Sequence, residues 1–273
     1  MTEIIIRPKT GWNLFKVDEI FRYRELLYIF TWRDIKVRYK QTFFGISWVI
    51  FQPLMTMGIF SFFFGKLAKL SSGSLPYPLF SLCGLVYWTF FSTSLTHASD
   101  SMITNESIIK KVYFPKILLP LSAVMTGLLD FAINFILLLL FAFYNGFSPG
   151  LNILLIIPLG IILVLVTSFG LGLFLSSINV KYRDVRYILP FFIQMILFVT
   201  PVIYPLAIVT ERNRLIMALN PLTLVMELTR YAFSRDYKIY PELFGVSILS
   251  SVLILLCGLW YFRKTEQFFA DIV

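Results

Sequence analysis

Long stretches without charge, separated by short polar segments, are the main feature of this chain. Taking glycine, proline and charged residues as boundaries gives six apolar segments. Each is close to the ~20 residues that cross ~30 Å of hydrocarbon as a helix. They cover residues 43–65, 77–97, 117–143, 151–178, 187–205 and 243–262. The pattern therefore predicts an all-α polytopic membrane protein with six transmembrane helices.

The segment from residue 206 to residue 242 fits neither a span nor an ordinary loop. Its apolar part is broken by Asn220-Pro221 and carries Glu227 and Arg230, which are spaced i, i+3 and could pair on a helix. Proline lacks an N–H and disfavours helix at the preceding residue, so each half is too short to cross a membrane. We predict a re-entrant pair of short helices over 212–235, packed in protein or lining water. A seventh span is the alternative.

Composition excludes a soluble globular protein. Hydrophobic residues make up 58 % of the 273 residues and charged residues only 14 %, against roughly 45–50 % and 25 % in globular proteins. No residue from Phe131 to Val180 is charged, a run of 50 residues. Both cysteines, Cys83 and Cys257, lie in apolar segments, so neither a disulfide nor a metal site is expected.

The positions of the basic residues predict the orientation. With six spans and a cytoplasmic amino terminus, 17 of the 24 Lys and Arg residues lie on the cytoplasmic side, as the positive-inside rule requires. A seventh span would put Arg263 and Lys264 outside. Residues 1–42 are thus expected to be a cytoplasmic segment and 263–273 a cytoplasmic tail. Nine basic residues lie in the first 43 positions, so the formal charge of +9 favours membrane lipids over nucleic acid.

Residues 19–41 contain no glycine or proline and predict a helix before the first span. At ~100° per residue its basic side chains cluster within about 60°, although Arg24 and Arg38 interrupt the opposite, apolar side. Such a helix is expected to lie in the headgroup plane of the inner leaflet, or to act only as a basic topology anchor. The clustered residues are Arg22, Arg33, Lys36 and Lys40, and the opposite ones are Ile20, Leu27 and Val37.

The connection between the second and third spans is longer than a simple turn needs. Residues 99–114 could form a short helix that ends before Pro115, with Ile108 and Val112 exposed beside Lys110 and Lys111. A half-apolar surface facing the cytoplasm favours docking of a soluble partner. The alternative is a helix that merely lies on the bilayer.

Asp130 is the one acid within a predicted span. A bare carboxylate at that depth is costly, so it needs a partner, protonation or water. A proton relay would require further ionisable groups at similar depth, and no other span offers one. We expect a structural hydrogen bond or a place near the end of the span. His97 is expected at a helix end near the inner face, and not as a ligand.

Motifs for chemistry are absent from the sequence. Gly65-Lys66 is followed by Leu67, so no phosphate-binding loop G-x-x-x-x-G-K-[ST] exists and the chain alone should not bind ATP. The single histidine leaves no Ser-His-Asp set, and acids and cysteines do not cluster as metal ligands. We therefore expect a chain without enzymatic activity or a cofactor of its own. Any work on a solute would be driven by a partner.

Several short motifs occur in a fixed order along nearly the whole chain. They are WRDIKVRYKQ at residues 32–41, Gly45 with Trp48, Gln52-Pro53, IIKKVYFPK at 108–116, Leu119-Pro120, Tyr182-Arg183-Asp184, TPVIYP at 200–205, and Asn220-Pro221 followed by Arg230. Together they resemble the permease subunits of ABC-2 type polysaccharide exporters, members of the ABC transporters. The amino-terminal segment from Met1 to Phe21 is longer than in the shortest members of that family.

The resemblance implies a homodimer of six-span subunits with two copies of a separate subunit that binds ATP and Mg. The cargo would be a glycan on a polyprenyl or other lipid anchor, such as O antigen, teichoic acid or capsule. It would cross the cytoplasmic membrane of a bacterium through a channel between the two permeases. A coupling helix would contact the ATPase through Asn105, Glu106, Ile109, Lys110, Lys111 and Tyr113.

The same resemblance assigns two further groups of residues. Headgroup contacts would come from the amino-terminal helix, where arginine suits bidentate phosphate contact. The broken segment would cap the channel exit. The headgroup residues are Arg22, Arg33, Lys36, Arg38 and Lys40, and those of the cap are Asn220, Pro221, Glu227 and Arg230.

Aromatic residues, 18 % of the chain, fit a sugar path because rings offer flat apolar faces to sugar C–H groups. Each candidate could instead contact lipid or pack between helices. The candidates are Phe51, Tyr87, Trp88, Phe191, Phe198 and Tyr204. Export of drugs or small lipids is the nearest alternative function. A membrane-embedded glycan polymerase or ligase is the alternative from another class, although the acids it would need do not cluster.

Overall fold

A computed structural model describes residues 17–40, 45–266 and 269 of the chain. Within these ranges all regular secondary structure is helical. The predictions for residues 1–16 and 41–44, and for most of the tail after residue 266, lie outside the described residues. The prediction of an all-α polytopic membrane protein is confirmed.

Eleven α-helices follow one another along the described residues. A π-helical segment, Ser61–Leu67, continues α3, and a short 3₁₀ turn, Leu206–Ile208, follows α8. The helices are α1 Val17–Arg22, α2 Arg24–Lys40, α3 Gly45–Phe60, α4 Tyr77–Thr104, α5 Glu106–Lys111, α6 Leu118–Tyr144, α7 Ile153–Lys181, α8 Val185–Val199, α9 Glu211–Ala218, α10 Pro221–Phe233 and α11 Glu242–Thr265.

Five of these helical segments are long and apolar enough to cross a membrane: Ser47–Leu67, α4, α6, α7 and α11. The fifth predicted span, 187–205, is different. Its helix, α8, has 15 residues, about 22 Å at ~1.5 Å per residue. It ends at Val199 because Pro201 disfavours helix at Thr200, and the chain then turns through buried residues up to Leu206.

Helix α4 forms the centre of the bundle and packs against α6, α7 and α10. In its apolar window 78 % of the residues are buried, against 11 % in the first span. Glycines allow the close approach. A Cβ on Gly127 of α6 would lie 2.3 Å from Ser94 Oγ of α4, and one on Gly160 of α7 would lie 2.7 Å from Val225 Cγ1 of α10.

The second predicted span and the helix predicted over 99–114 are divided differently in the structure. Helix α4 runs on to Thr104, and only then does Asn105, at φ −105° and ψ 20°, separate it from the six-residue α5. Nothing between residues 97 and 104 breaks the helix, since that stretch has no glycine or proline. His97 therefore lies within α4, and its prediction as a helix-end residue is wrong.

The bundle has two distinct ends. At one, which we call the α5 end, residues of α2, α4, α5 and α6 form a single apolar cluster with the last turns of α7 and α11. At the other, the α10 end, the break at Asn220-Pro221 separates α9 from α10. Asn220 Oδ1 accepts a hydrogen bond from Leu222 N at 3.1 Å, and Pro221 occupies the first helical position. All of α10 except Tyr231 is buried.

Candidate functional site

The most exposed feature of the α5 end is a short projection, residues 106–113. It combines positive charge with exposed apolar surface. Tyr113 is 96 % exposed and Val112 57 % exposed, and both Lys110 and Lys111 point outward. We call this segment the α5 projection.

Two of the six predicted ATPase-contacting residues support the projection from inside. Asn105 Nδ2 donates to Ser101 O at 2.8 Å, and the Asn105 side chain is buried. Ile109 is 7 % exposed and packs in the apolar cluster of the α5 end. The prediction that Asn105 and Ile109 are surface contacts is therefore corrected. Ile109 is the apolar residue that holds α5 against the bundle, and Asn105 is held by its hydrogen bond to α4.

The other predicted residues of the projection are available at its surface. Lys110 Nζ donates to Glu106 Oε1 at 2.6 Å across one turn of the helix. This hydrogen bond and the lysine charge lower the pKa of the Glu106 carboxyl. Glu106 therefore stays ionised, while Lys111 makes no ion pair within the described residues.

Helix α2 reaches the α5 projection through Arg33. Its Nη2 donates to Asn105 Oδ1 at 2.8 Å and to Asp34 Oδ1 at 2.7 Å. Five residues further on, Arg38 pairs with Asp130 of α6 and contacts His97 of α4.

These contacts attach the amino-terminal helix to the bundle, while its place in the headgroup plane stays a prediction. His97 and Asn105 are eight residues apart along α4, about 12 Å of helix. Helix α2 packs along α6, and its last turn reaches Asp130, 12 residues from the start of α6. A carboxylate inside the bundle needs a partner, and Arg38 supplies one.

The predicted headgroup residues divide into two groups. Arg33 and Arg38 are half-buried and engaged by side chains of the protein, so their prediction as headgroup contacts is corrected. The exposed face of α2 carries apolar residues as well, including Tyr28, Ile29, Trp32 and Val37. The basic side chains left on the surface are Arg22, Lys36 and Lys40.

Asp130 has the partners that its depth requires. Besides the ion pair with Arg38, it accepts a hydrogen bond from the Tyr39 hydroxyl. The expected structural hydrogen bond is confirmed, and its donors lie on the amino-terminal helix. Sequence patterns did not indicate this pairing, because the residues are about 90 positions apart.

A buried ion-pair network lies at the α10 end. Arg230, which is fully buried, donates from Nη1 to Glu227 Oε1 at 2.8 Å, as the i, i+3 spacing predicted. Its Nη2 donates to Val202 O at 3.2 Å, and its guanidinium carbon lies 3.6 Å from the ring centroid of Phe80. Tyr237 adds a hydrogen bond to Glu227 at 3.1 Å. Phe80 and Tyr237 were missed because no spacing rule connects them with this pair.

The helix break makes its own contact with the chain after α8. Asn220 Nδ2 donates to Thr200 Oγ1 at 2.8 Å. Pro221, immediately after it, is buried at the start of α10. The four residues predicted for the cap thus connect α10 with α4 and with the turn that follows α8.

A further polar cluster, which sequence reasoning missed, connects α4 with the start of α8. Asp100 Oδ1 accepts hydrogen bonds from Asn179 Nδ2 at 3.0 Å and from Arg186 Nε at 3.3 Å. The cluster lies six residues from the α5 projection. Its three residues come from three separate segments, so only the folded chain brings them together.

The structure separates the six aromatic channel candidates. Tyr87 and Trp88 are buried in the core, where the Tyr87 ring lies 5.2 Å from that of Phe131, so their prediction as channel-lining residues is wrong. Tyr204 is half-buried, and its hydroxyl donates to Val199 O at 2.8 Å. The candidates on the surface are Phe51, Phe191 and Phe198, each more than half exposed.

The described part of the chain offers no ligand set for a metal, since no three His, Cys, Asp or Glu side chains are grouped there. Its polar clusters join helices. Five helical segments long and apolar enough to cross a membrane define a polytopic membrane protein. The model of a family described as "ABC-2 type transporter" matches residues 25–234. The chain belongs to that family.

Curated relatives cover nearly the whole chain. The "O-antigen export system permease protein RfbA" of Klebsiella pneumoniae is 31 % identical over 249 residues, 91 % of this chain and 95 % of the relative. A protein of the same name from Myxococcus xanthus is 29 % identical over 262 residues, 93 % of this chain and 98 % of the relative. The "Polysialic acid transport protein KpsM" of Escherichia coli is 22 % identical over 235 residues, 86 % of this chain and 91 % of the relative.

Proposed function

We propose that this chain is the transmembrane subunit of an ATP-driven exporter of lipid-linked polysaccharide. The cargo crosses the cytoplasmic membrane of a bacterium through a channel between two copies of the chain. The observation that carries the proposal is the similarity, over 91 % of the chain, to an O-antigen export permease. The relative named for polysialic acid transport supports polysaccharide as the class of cargo.

ATP hydrolysis is assigned to a separate subunit, present in two copies. The sequence has no phosphate-binding loop, while ABC-2 type membership implies a partner that supplies the energy. ATP and Mg would be bound by that partner. The chain itself then needs no catalytic residue, only a surface that transmits movement.

The α5 projection is the proposed docking surface for this ATPase. Lys110 and Lys111 favour a partner surface with acidic residues, while the exposed Tyr113 ring suits an apolar pocket at its centre. Because Arg33 bonds to Asn105 at the base of the projection, a push on α5 would be passed to α2. The Asp100–Arg186 contact would pass it to α8.

The polysaccharide path is assigned to the faces of α3 and α8. These helices are the least buried apolar ones, and Leu189 is the only buried residue of α8. Phe51, Phe191 and Phe198 project from them and offer ring faces that do not select one sequence of sugars. A second copy placed against these faces would enclose a path between the two subunits.

Co-purification tests the ATPase assignment. The tagged chain, extracted in mild detergent, is expected to recover a P-loop ATPase in equal stoichiometry. The variant Lys110→Glu/Lys111→Glu should lower that recovery about tenfold, equal to about 1.4 kcal/mol of binding free energy. Recovery is measured by quantitative mass spectrometry.

The matched control is Lys66→Glu/Lys69→Glu, which reverses two exposed lysines outside the projection. It should recover as much ATPase as the unchanged chain. Equal recovery by the two double variants would contradict docking through α5. Absence of any ATPase would contradict the ATP-driven exporter itself.

A further inference from the structure

We infer that a groove between α7 and α11 binds one acyl chain of an anionic phospholipid, whose headgroup is held by Lys181 and Lys264. The groove has a volume of about 280 Å³ and is lined only by apolar surface. This volume is close to the lower limit of roughly 300 Å³ for ligand pockets, enough for part of an acyl chain. The lining residues are Gly170, Leu171, Phe174, Leu253, Ile254, Cys257 and Gly258.

The groove exists because two glycines meet where α7 and α11 cross. A Cβ on Gly258 would lie 2.0 Å from Gly170 O, and one on Gly170 would lie 2.7 Å from Leu255 Cα. Because neither glycine has a side chain, a cavity remains beside the crossing. Cys257, which is exposed, forms part of its rim.

Aromatic rings close the groove on the side of the α5 end. The rings of Phe174 and Tyr261 have their centroids 5.0 Å apart and connect the two helices. Trp260, which is 44 % exposed, and Tyr182, which is 56 % exposed, follow at the level where the helices end. Exposed Trp and Tyr rings at a helix end are typical of the boundary between hydrocarbon and headgroups.

Each of the two helices carries a lysine on the face that lines the groove, further toward the α5 end. Lys181 follows Phe174 by 7 residues and Gly170 by 11, and Lys264 follows Cys257 by 7 and Leu253 by 11. Both intervals return to within about 20° of the same helix face, at ~100° per residue. Because α7 and α11 run in the same direction and end in one apolar cluster, both ammonium groups extend from the groove side.

Neither Lys181 nor Lys264 is neutralised by a carboxylate within residues 17–40 and 45–266. Their Nζ atoms lie 5.1 Å from the Tyr182 ring and 5.3 Å from the Trp260 ring, at the level of the headgroups. Two cations near an apolar groove match a phosphate with an acyl chain attached. The proposed orientation of the chain decides only in which leaflet the phospholipid lies. The binding site itself does not depend on the identity of the cargo.

Native mass spectrometry of the full chain, depleted of lipid and titrated with defined lipids, tests the assignment. The unchanged chain should bind phosphatidylglycerol in preference to phosphatidylcholine. Lys181→Gln/Lys264→Gln should lower this preference about tenfold, equal to about 1.4 kcal/mol. Cys257→Trp, which fills the groove, should lower the binding of both lipids.

Two controls accompany these variants. Lys238→Gln removes an exposed lysine that also lies over an aromatic ring, Tyr240, but far from the groove. Leu249→Trp adds the same indole to an exposed position of α11 outside the lining. Both controls should bind lipid as the unchanged chain does, and all variants should elute as single species of the same size.

Three results would overturn the inference. One is equal binding of both phospholipids by the unchanged chain. Another is the same loss of preference in Lys238→Gln as in the double variant, which would indicate a general effect of charge. The third is displacement of phosphatidylglycerol by an equal concentration of polyprenyl phosphate, which would assign the groove to a polyprenyl lipid.

Discussion

Arg230 connects three parts of the chain through one side chain. Its Nε, Nη1 and Nη2 donate to Phe80 O, Glu227 Oε1 and Val202 O. A fully buried guanidinium group is tolerated only if its charge and donors are satisfied. The position of α10 against α4 therefore depends on this residue.

Substituting Arg230 should destabilise the protein strongly. Arg230→Met leaves the buried Glu227 carboxylate unpaired, and breaking a buried pair costs about 3–5 kcal/mol. Thermal unfolding in mild detergent measures the effect. Arg235→Met removes an exposed arginine of the same segment and should unfold as the unchanged chain does. Similar unfolding temperatures for the two variants would contradict a structural role for the buried arginine.

At the scale of elements, α2 is held by charge as well as by apolar contact. Its half-buried arginines, Arg33 and Arg38, face α4, α5 and α6, while Tyr28, Trp32 and Val37 are exposed. The helix thus connects the base of the α5 projection with a carboxylate inside the bundle. A helix held in this way can follow the movement of α5 without being detached from the spans.

Neutralising Asp130 should loosen this attachment. Asp130→Asn leaves the Arg38 charge without its carboxylate and should cost about 3 kcal/mol. The double variant Arg38→Gln/Asp130→Asn should be more stable than Asp130→Asn alone, because it removes both charges. Asp236→Asn, at an exposed position, is the control in the same unfolding assay. Equal stability of Asp130→Asn and the unchanged chain would contradict the ion pair between Arg38 and Asp130.

The crossing of α7 and α11 should tolerate no side chain. Gly258→Ala places a Cβ 2.0 Å from a backbone oxygen, and relieving such an overlap costs about 1–3 kcal/mol. Gly58→Ala, with nothing within 4 Å of the added atom, should be neutral or slightly stabilising because alanine favours helix by about 1 kcal/mol. The unfolding temperatures of the two variants are compared with that of the unchanged chain. An unchanged unfolding temperature for Gly258→Ala would contradict the close approach of α7 and α11 at this glycine.

Across the whole molecule, the sequence predicted those features that depend on residues close together along the chain. Uncharged runs predicted the membrane helices, and Pro221 predicted the break between α9 and α10. The i, i+3 spacing predicted the Glu227–Arg230 pair. Each of these depends on residues close together in the sequence.

Features that depend on distant residues could not be read in the same way. The Asp130 partners lie on α2, so the path of α2 along the bundle was not visible in its own imperfect amphipathic pattern. Tyr87 and Trp88 are aromatic residues of the kind that could line a sugar path. They lie on α4, however, and its central position buries them. Because α4 continues to Thr104 without a helix breaker, the sequence did not show that the projection begins only after Asn105.

Export of a lipid-linked glycan can be tested by comparing surface and total glycan in bacteria without this chain. Surface glycan is labelled on intact cells, and total lipid-linked glycan is extracted from the same culture. If the chain exports the glycan, surface glycan is lost while full-length lipid-linked glycan accumulates inside, and the unchanged chain restores the surface signal. Normal surface glycan, or glycan chains that are short or missing inside the cells, would contradict an export role.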